Sequence, residues 1–138
     1  LPLAPRWTRP DPRIDAVRGC VAAERGPLVY CVESLGRDAA AGSGAAADLD
    51  AVAVDASVPP ADQGVDGGLG GAVTLTCSVR PLPAGTAAWP YAGQADGAGA
   101  VPAATAPPGA ATPLTLIPYH LWGNRGPASM RVWLPAGP

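Results

Sequence analysis

The sequence predicts an all-β fold: an antiparallel β-sandwich of jelly-roll-like kind with long Gly/Ala/Pro-rich loops. Three observations carry this expectation. Apolar residues alternate with a period of two in the best-formed segments. Turn residues punctuate the chain between those segments. No stretch repeats its apolar residues every three to four positions, as an amphipathic helix would. Roughly six strands with no crossover helix between them read as a sandwich or barrel.

Taken in order, Leu1 to Pro12 is extended, because Pro2, Pro5, Pro10 and Pro12 fix φ and withhold amide donors. From Ile14 the chain alternates through Ala16 to Cys20 and Ala22. It then meets Glu24-Arg25-Gly26-Pro27 and resumes as Leu28-Val29-Tyr30-Cys31-Val32-Glu33. Strand, turn and strand predict a hairpin. A turn centred between Arg25 and Gly26 sets Cys20 opposite Cys31 and Ala22 opposite Val29. Gly36 to Asp48 is a low-complexity loop, Leu49 to Val54 a short strand, and Pro59 to Gly71 a second loop closed by paired glycines. Ala72 to Val79 is the cleanest strand: Val73, Leu75, Cys77 and Val79 share one face, Thr74, Thr76 and Ser78 the other. Ala84 to Thr112 is a long loop containing Trp89-Pro90-Tyr91. Pro113 to Trp122 and Ser129 to Leu134 predict a closing strand pair, turned by Asn124-Arg125-Gly126-Pro127.

Composition narrows the function classes. A formal net charge of -2, from 9 basic and 11 acidic residues, gives no electrostatic footprint for nucleic acid or an anionic membrane. The longest apolar runs, such as Leu28 to Val32, are too short to span a bilayer. With 18 glycines, 18 prolines and no phenylalanine, the core is expected to be modest. Trp122 and Trp133 are expected to fill it, and Trp89 to sit either in it or at the surface. The chain opens on Leu1 and its one methionine is Met130, so residues 1–138 are expected to be a single domain taken from a longer protein. The compartment is left open by these residues, with the cytoplasm favoured.

Two segments carry a family resemblance. Arg18-Gly19-Cys20-Val21-Ala22-Ala23-Glu24-Arg25-Gly26-Pro27-Leu28-Val29-Tyr30-Cys31 resembles a signature of the β-L-arabinofuranosidase family of glycoside hydrolases (family 127-like), whose members read RG-x-VAL-[EQ]-RGPLVYC. Ile117-Pro118-Tyr119-His120-Leu121-Trp122-Gly123-Asn124-Arg125-Gly126-Pro127, continuing to Met130-Arg131-Val132-Trp133-Leu134-Pro135, resembles that family's closing IPYYAWANRG…MRVWLP. The two motifs cover about a third of the chain directly and stand in the family's order. The chain departs from the pattern at Cys20, His120 and Gly123. The resemblance implies a C-terminal β-sandwich domain that follows a large helical barrel. In that family the barrel carries catalysis, through glutamates and a cysteine nucleophile in a zinc-binding cysteine cluster. There is no adjacent Cys-Cys pair here, and the only glutamates are Glu24 and Glu33, so no catalytic residue is carried over and the fragment is expected to be no enzyme in its own right.

The residues themselves offer several sharper readings, each with a plainer one beside it. Glycosidases need two carboxyl groups about 5–10 Å apart across a sugar. Glu24 in the turn and Glu33 at the far end of the next strand are expected roughly 20 Å apart, as a turn residue and a solvent-facing strand end. Cys20, Cys31, Cys77 and His120 have zinc-ligand chemistry without the close spacing of a zinc site. A Cys20–Cys31 cross-strand disulfide is the other option, and free buried thiols are the default. His120 with Ser129 lacks a nucleophile elbow and reads as a partly exposed strand histidine. Trp89 and Tyr91 are candidates for a carbohydrate platform, since sugars stack on aromatic faces. Asn124 and Arg125 are candidates for domain docking, with Arg125 reaching a carboxylate of a neighbouring domain. The expected function is therefore a non-catalytic domain with no cofactor or metal of its own. It would pack on the catalytic barrel of its parent chain and aid homodimer assembly. A carbohydrate-binding module using exposed Trp and Tyr is the alternative.

Overall fold

Gly26 takes a φ of 59°, a left-handed conformation open to glycine at little cost. With Pro27 it forms a two-residue turn, so Arg25 pairs with Leu28 and Glu24 with Val29. In the computed structural model, which describes residues 2–34, 49, 52–82 and 111–137, nine strands and three short 3-10 turns make up the regular structure. No α-helix occurs among those residues. The strands are β1 (Pro5–Thr8), β2 (Cys20–Arg25), β3 (Leu28–Glu33), β4 (Val52–Val54), β5 (Ala61–Asp66), β6 (Ala72–Pro81), β7 (Thr112–Pro118), β8 (Met130–Arg131) and β9 (Leu134–Pro135).

All nine belong to one antiparallel sheet with the path β1-β2-β3-β7-β6-β4, to which β5 adds on β6, β8 on β3 and β9 on β2. The hairpin strands β2 and β3 stay paired for two positions and then part. The end of the chain then pairs with both: Arg131 with Val32 through β8, and Leu134 with Val21 through β9. It also reaches the far end of the path. Ala136 makes a parallel bridge with Val54, and the Gly137 amide donates to the Val54 carbonyl at 2.8 Å. These bonds roll the sheet onto itself, so that its halves face each other across one interior, the sandwich-like arrangement that the alternation predicts.

That interior is aliphatic. Val21, Tyr30, Val32, Val54, Leu75, Leu114, Leu116 and Leu134 meet there at 2% exposure or less. Leu75, Cys77 and Val79 point inward from β6 as their alternation predicts, while Val73 is only partly buried. Tyr30 is the largest fully buried side chain, and its hydroxyl donates to the Val73 carbonyl at 3.0 Å. Burying such side chains is worth about 1.5–3 kcal/mol each, which is the main force closing the roll.

Several expectations are corrected. Trp122 and Trp133 do not fill the core: Trp122 is 40% exposed and Trp133 is partly exposed, while Trp7 packs on the core edge with its Nε1 donating to the Val58 carbonyl at 2.7 Å. The interior is filled by Leu, Val and the Tyr30 ring, leaving these larger indole rings at its margins. The closing strand pair does not form. β7 pairs instead with β3 and β6, and a 3-10 turn at Tyr119–Leu121 takes over after Pro118, a residue with no ladder donor to give. Ile14 to Val17 is not strand either: Asp15–Val17 is a 3-10 turn and β2 starts at Cys20. The segment expected as loop from Pro59 to Gly71 contains β5, whose Ala-Asp-Gln-Gly-Val-Asp sequence has little strand character. Pairing with β6 holds it there, and the Asp66 carboxylate accepts from the Gly68 amide at 2.8 Å to shape the turn.

Candidate functional site

The alternation along β3 decides what each of its residues can do. Tyr30 and Val32 enter the main core, and Cys31 faces the other way. There Cys31, Leu69 and Ile117 form a second, small cluster covered by Ala72, Leu121, Met130 and Val132. From Tyr30 onward β3 is thus buried on both sides. Glu33 lies on the Cys31 side, under the segment that follows β7, and is 2% exposed. The expected solvent-facing strand end is a buried carboxylate.

A buried carboxylate must be paired and hydrogen-bonded to be tolerated. Glu33 Oε1 accepts from the Gly123 amide at 2.6 Å, and Oε2 accepts from the Arg125 guanidinium in an ion pair. Gly123, at a φ of 75°, presents its amide to the carboxylate from a conformation that glycine adopts freely. One residue further along β3, Ser34 donates its amide to the Ser129 carbonyl at 3.0 Å, and its Oγ accepts from the Ser129 amide at 3.1 Å. The Asn124-Arg125-Gly126-Pro127 turn is therefore clamped from both ends to the tip of β3. Beside the clamp lies a polar groove of about 440 Å³, lined by Glu33, Arg125, Gln63, Asp66, Thr74 and Thr115.

A second groove, of about 790 Å³, opens on the outer surface of the β1–β2–β3 corner. Its floor is set by the same alternation. Val21, Ala23 and Trp7 turn inward, so Cys20, Ala22, Glu24, Thr8 and Val29 turn outward. The small Cys20 and Ala22 leave the floor low. One wall is Ala16 and Val17; the other is Tyr119, Met130, Arg131, Val132 and Trp133. Glu24 Oε2 accepts from Arg6.

The thiols are chemically quiet where they are buried. Burial, and second to it the Glu33 charge, pushes the Cys31 thiol up to about 12. Burial alone pushes Cys77 up to about 12. Both stay protonated at neutral pH and are poor nucleophiles. All three cysteines are free. The two-residue Gly26-Pro27 turn shifts the register from the expected one, and β2 and β3 part before Cys20 is reached, so no Cys20–Cys31 disulfide forms. Among the described residues no group of three His, Cys, Asp or Glu side chains converges as a metal site.

Of the residues singled out from the sequence, Arg125 lies in the Glu33 clamp, and Asn124 is exposed beside it. Glu24 and Glu33 open into different grooves. His120 is exposed in a 3-10 turn rather than on a strand. Trp89 and Tyr91 lie outside the described residues. Sequence reasoning missed the burial of Glu33, although a partial signal was present: an unbroken Leu28 to Val32 apolar run is what a strand covered on both faces shows, and here the cover begins at Tyr30 and extends through Glu33.

Residues 5–135 match the family model described as the glycoside hydrolase family 127 C-terminal domain. Among solved structures, the chain is similar to a GH127 β-L-arabinofuranosidase from Geobacillus stearothermophilus T6 at 23% identity. That match has a TM-score of 0.70 and covers 99% of this chain and 19% of that one. It is also similar to a glycoside hydrolase at 25% identity with a TM-score of 0.63, over 97% of this chain and 19% of that one. A GH127 β-arabinofuranosidase matches at 26% identity with a TM-score of 0.58, over 96% of this chain and 17% of that one. The chain spans about a fifth of the length of these relatives. No curated protein matches it.

Proposed function

The chain belongs to the family of glycoside hydrolase family 127 C-terminal domains, and from that premise we propose that it is a non-catalytic accessory domain packing on the catalytic barrel of a longer, arabinofuranosidase-like glycoside hydrolase. The observation that carries this reading is one of proportion. The match runs through almost the whole chain, yet the chain accounts for only 17–19% of the two GH127 enzymes it is similar to.

Two features support the docking role. The Asn124-Arg125-Gly126 turn is held rigid by Glu33 and projects exposed polar groups. Arg125 uses Nη2 on Glu33 while its side chain keeps 34% exposure, so further guanidinium donors are free to meet a carboxylate of the barrel. Homodimer assembly is the finer part of the proposal, favoured by β5, which is exposed and pairs only with β6 among the described strands.

The test has two arms. The 138-residue chain alone should release no sugar from aryl β-L-arabinofuranosides, and measurable turnover would sink the non-catalytic reading. In the longer enzyme, removing these residues should lower the melting temperature of the barrel. An unchanged melting temperature and activity would sink the docking reading.

A further inference from the structure

We propose that the groove over β1, β2 and β3 is a binding site for a short oligosaccharide, with the Trp133 and Tyr119 rings as stacking surfaces and the Glu24 carboxylate as a hydroxyl acceptor. The argument starts from what a sugar presents: an apolar C–H face and a rim of hydroxyls. The groove presents the complement. Trp133 and Tyr119 stand on one wall above a floor kept low by Cys20 and Ala22. Tyr119 is 46% exposed, so its ring is open to a ligand. Aromatic faces of this kind gain from stacking beyond the area they bury. Glu24 stands on the floor with Oε2 held by Arg6. That bond fixes the carboxylate and leaves Oε1 as an acceptor, while the Thr8 hydroxyl adds a donor and acceptor beside it. The volume, about 790 Å³, falls within the range of about 300–1,000 Å³ usual for small-molecule sites.

The same groove is poorly suited to a dry protein contact. An apolar segment laid into it would cover Glu24 Oε1 without offering it a donor, and covering a carboxylate oxygen that way is costly. A hydroxylated ligand meets both the rings and that oxygen. This site shares no residue with the Glu33–Arg125 clamp, so it stands or falls separately from the docking reading.

The experiment is isothermal titration calorimetry of the 138-residue chain with L-arabinose, arabino-oligosaccharides, xylo-oligosaccharides and malto-oligosaccharides. Saturable binding of at least one is expected. Trp133→Ala and Tyr119→Ala should each weaken it about tenfold or more. Trp122→Ala, which removes an exposed ring outside the groove, should leave it unchanged. Tyr119→Ala also guards against misfolding, because this ring lies outside both buried clusters and its loss should not move the melting temperature. The absence of saturable heat at about 10 mM of every sugar would overturn the proposal. So would binding that survives both groove variants, or that falls equally in Trp122→Ala.

Discussion

Strand β3 divides two regions built on different principles. On one side Tyr30 and Val32 join leucines and valines from five other strands in a core with almost no directional contact. On the other, Cys31 sits in a small apolar cluster that ends on Glu33, a carboxylate whose two oxygens each have an assigned donor. The first region is stabilised by area, which is forgiving of detail, because any apolar side chain of the right volume recovers most of the gain. The second depends on three groups being in place at once. Loss of one leaves a buried charge uncompensated. The comparison teaches that a small domain can fix its surface turns firmly where its core has no reach, at the cost of low tolerance to substitution there.

The largest expected effect tests the first region. Leu116→Ala, at a position with 0% exposure, should destabilise by about 2–5 kcal/mol in urea unfolding. A loss under about 1 kcal/mol would mean that the interior of the roll is not a packed core. Next comes the clamp. Arg125→Ala should cost about 2–4 kcal/mol, below the fully buried figure because the Arg125 side chain is a third exposed. Replacing both partners, as Glu33→Met with Arg125→Leu, should recover most of that loss. If the double variant is as unstable as the single one, packing rather than charge governs the clamp.

Alkaline pH separates the two sides again through their thiols. Cys77 belongs to the core and Cys31 to the second cluster, and both ionise near 12 when folded against 9.0 when unperturbed. Between those values the unfolded chain has released protons that the folded one retains, so stability is complete below about pH 9 and falls as pH rises towards 12. The urea midpoint should follow that course. In thiolate absorbance titrations Glu33→Gln should lower the Cys31 value and leave Cys77 in place, because the Glu33 charge acts only on Cys31. An equal shift at both would break the distinction. The smallest effect belongs to the surface: Arg25→Ala, losing the partly exposed pair with Asp62, should change stability by about 1 kcal/mol or less. A larger change would give that surface pair a weight here reserved for the clamp.

Much of this was legible in residue order. The period-two run from Ala72 to Val79 marked Leu75, Cys77 and Val79 as inward side chains of β6, but not that Val73 is only partly buried and Thr74 is buried from the other face. Gly26-Pro27 marked the first turn, though the pairing register moved by two positions from the one expected. β5 was illegible because its strand character comes from β6 rather than from its own side chains. The clamp was half legible. Arg125 drew attention as a residue seeking a carboxylate, but its partner in the structure is Glu33 in its own chain, 92 positions away.

By itself the sequence determined the all-β class, the inward face of β6 from Leu75 to Val79, and the family, because alternation, turn chemistry and motif order are local properties. Only the tertiary structure decided that the chain end closes the roll through β8, β9 and Ala136, that Trp7, Trp122 and Trp133 stay at the margins, and that Glu33 is buried. Those outcomes depend on which distant segments share a face of one strand, and the balance of burial against hydrogen bonding there is settled only when the whole sheet has curled.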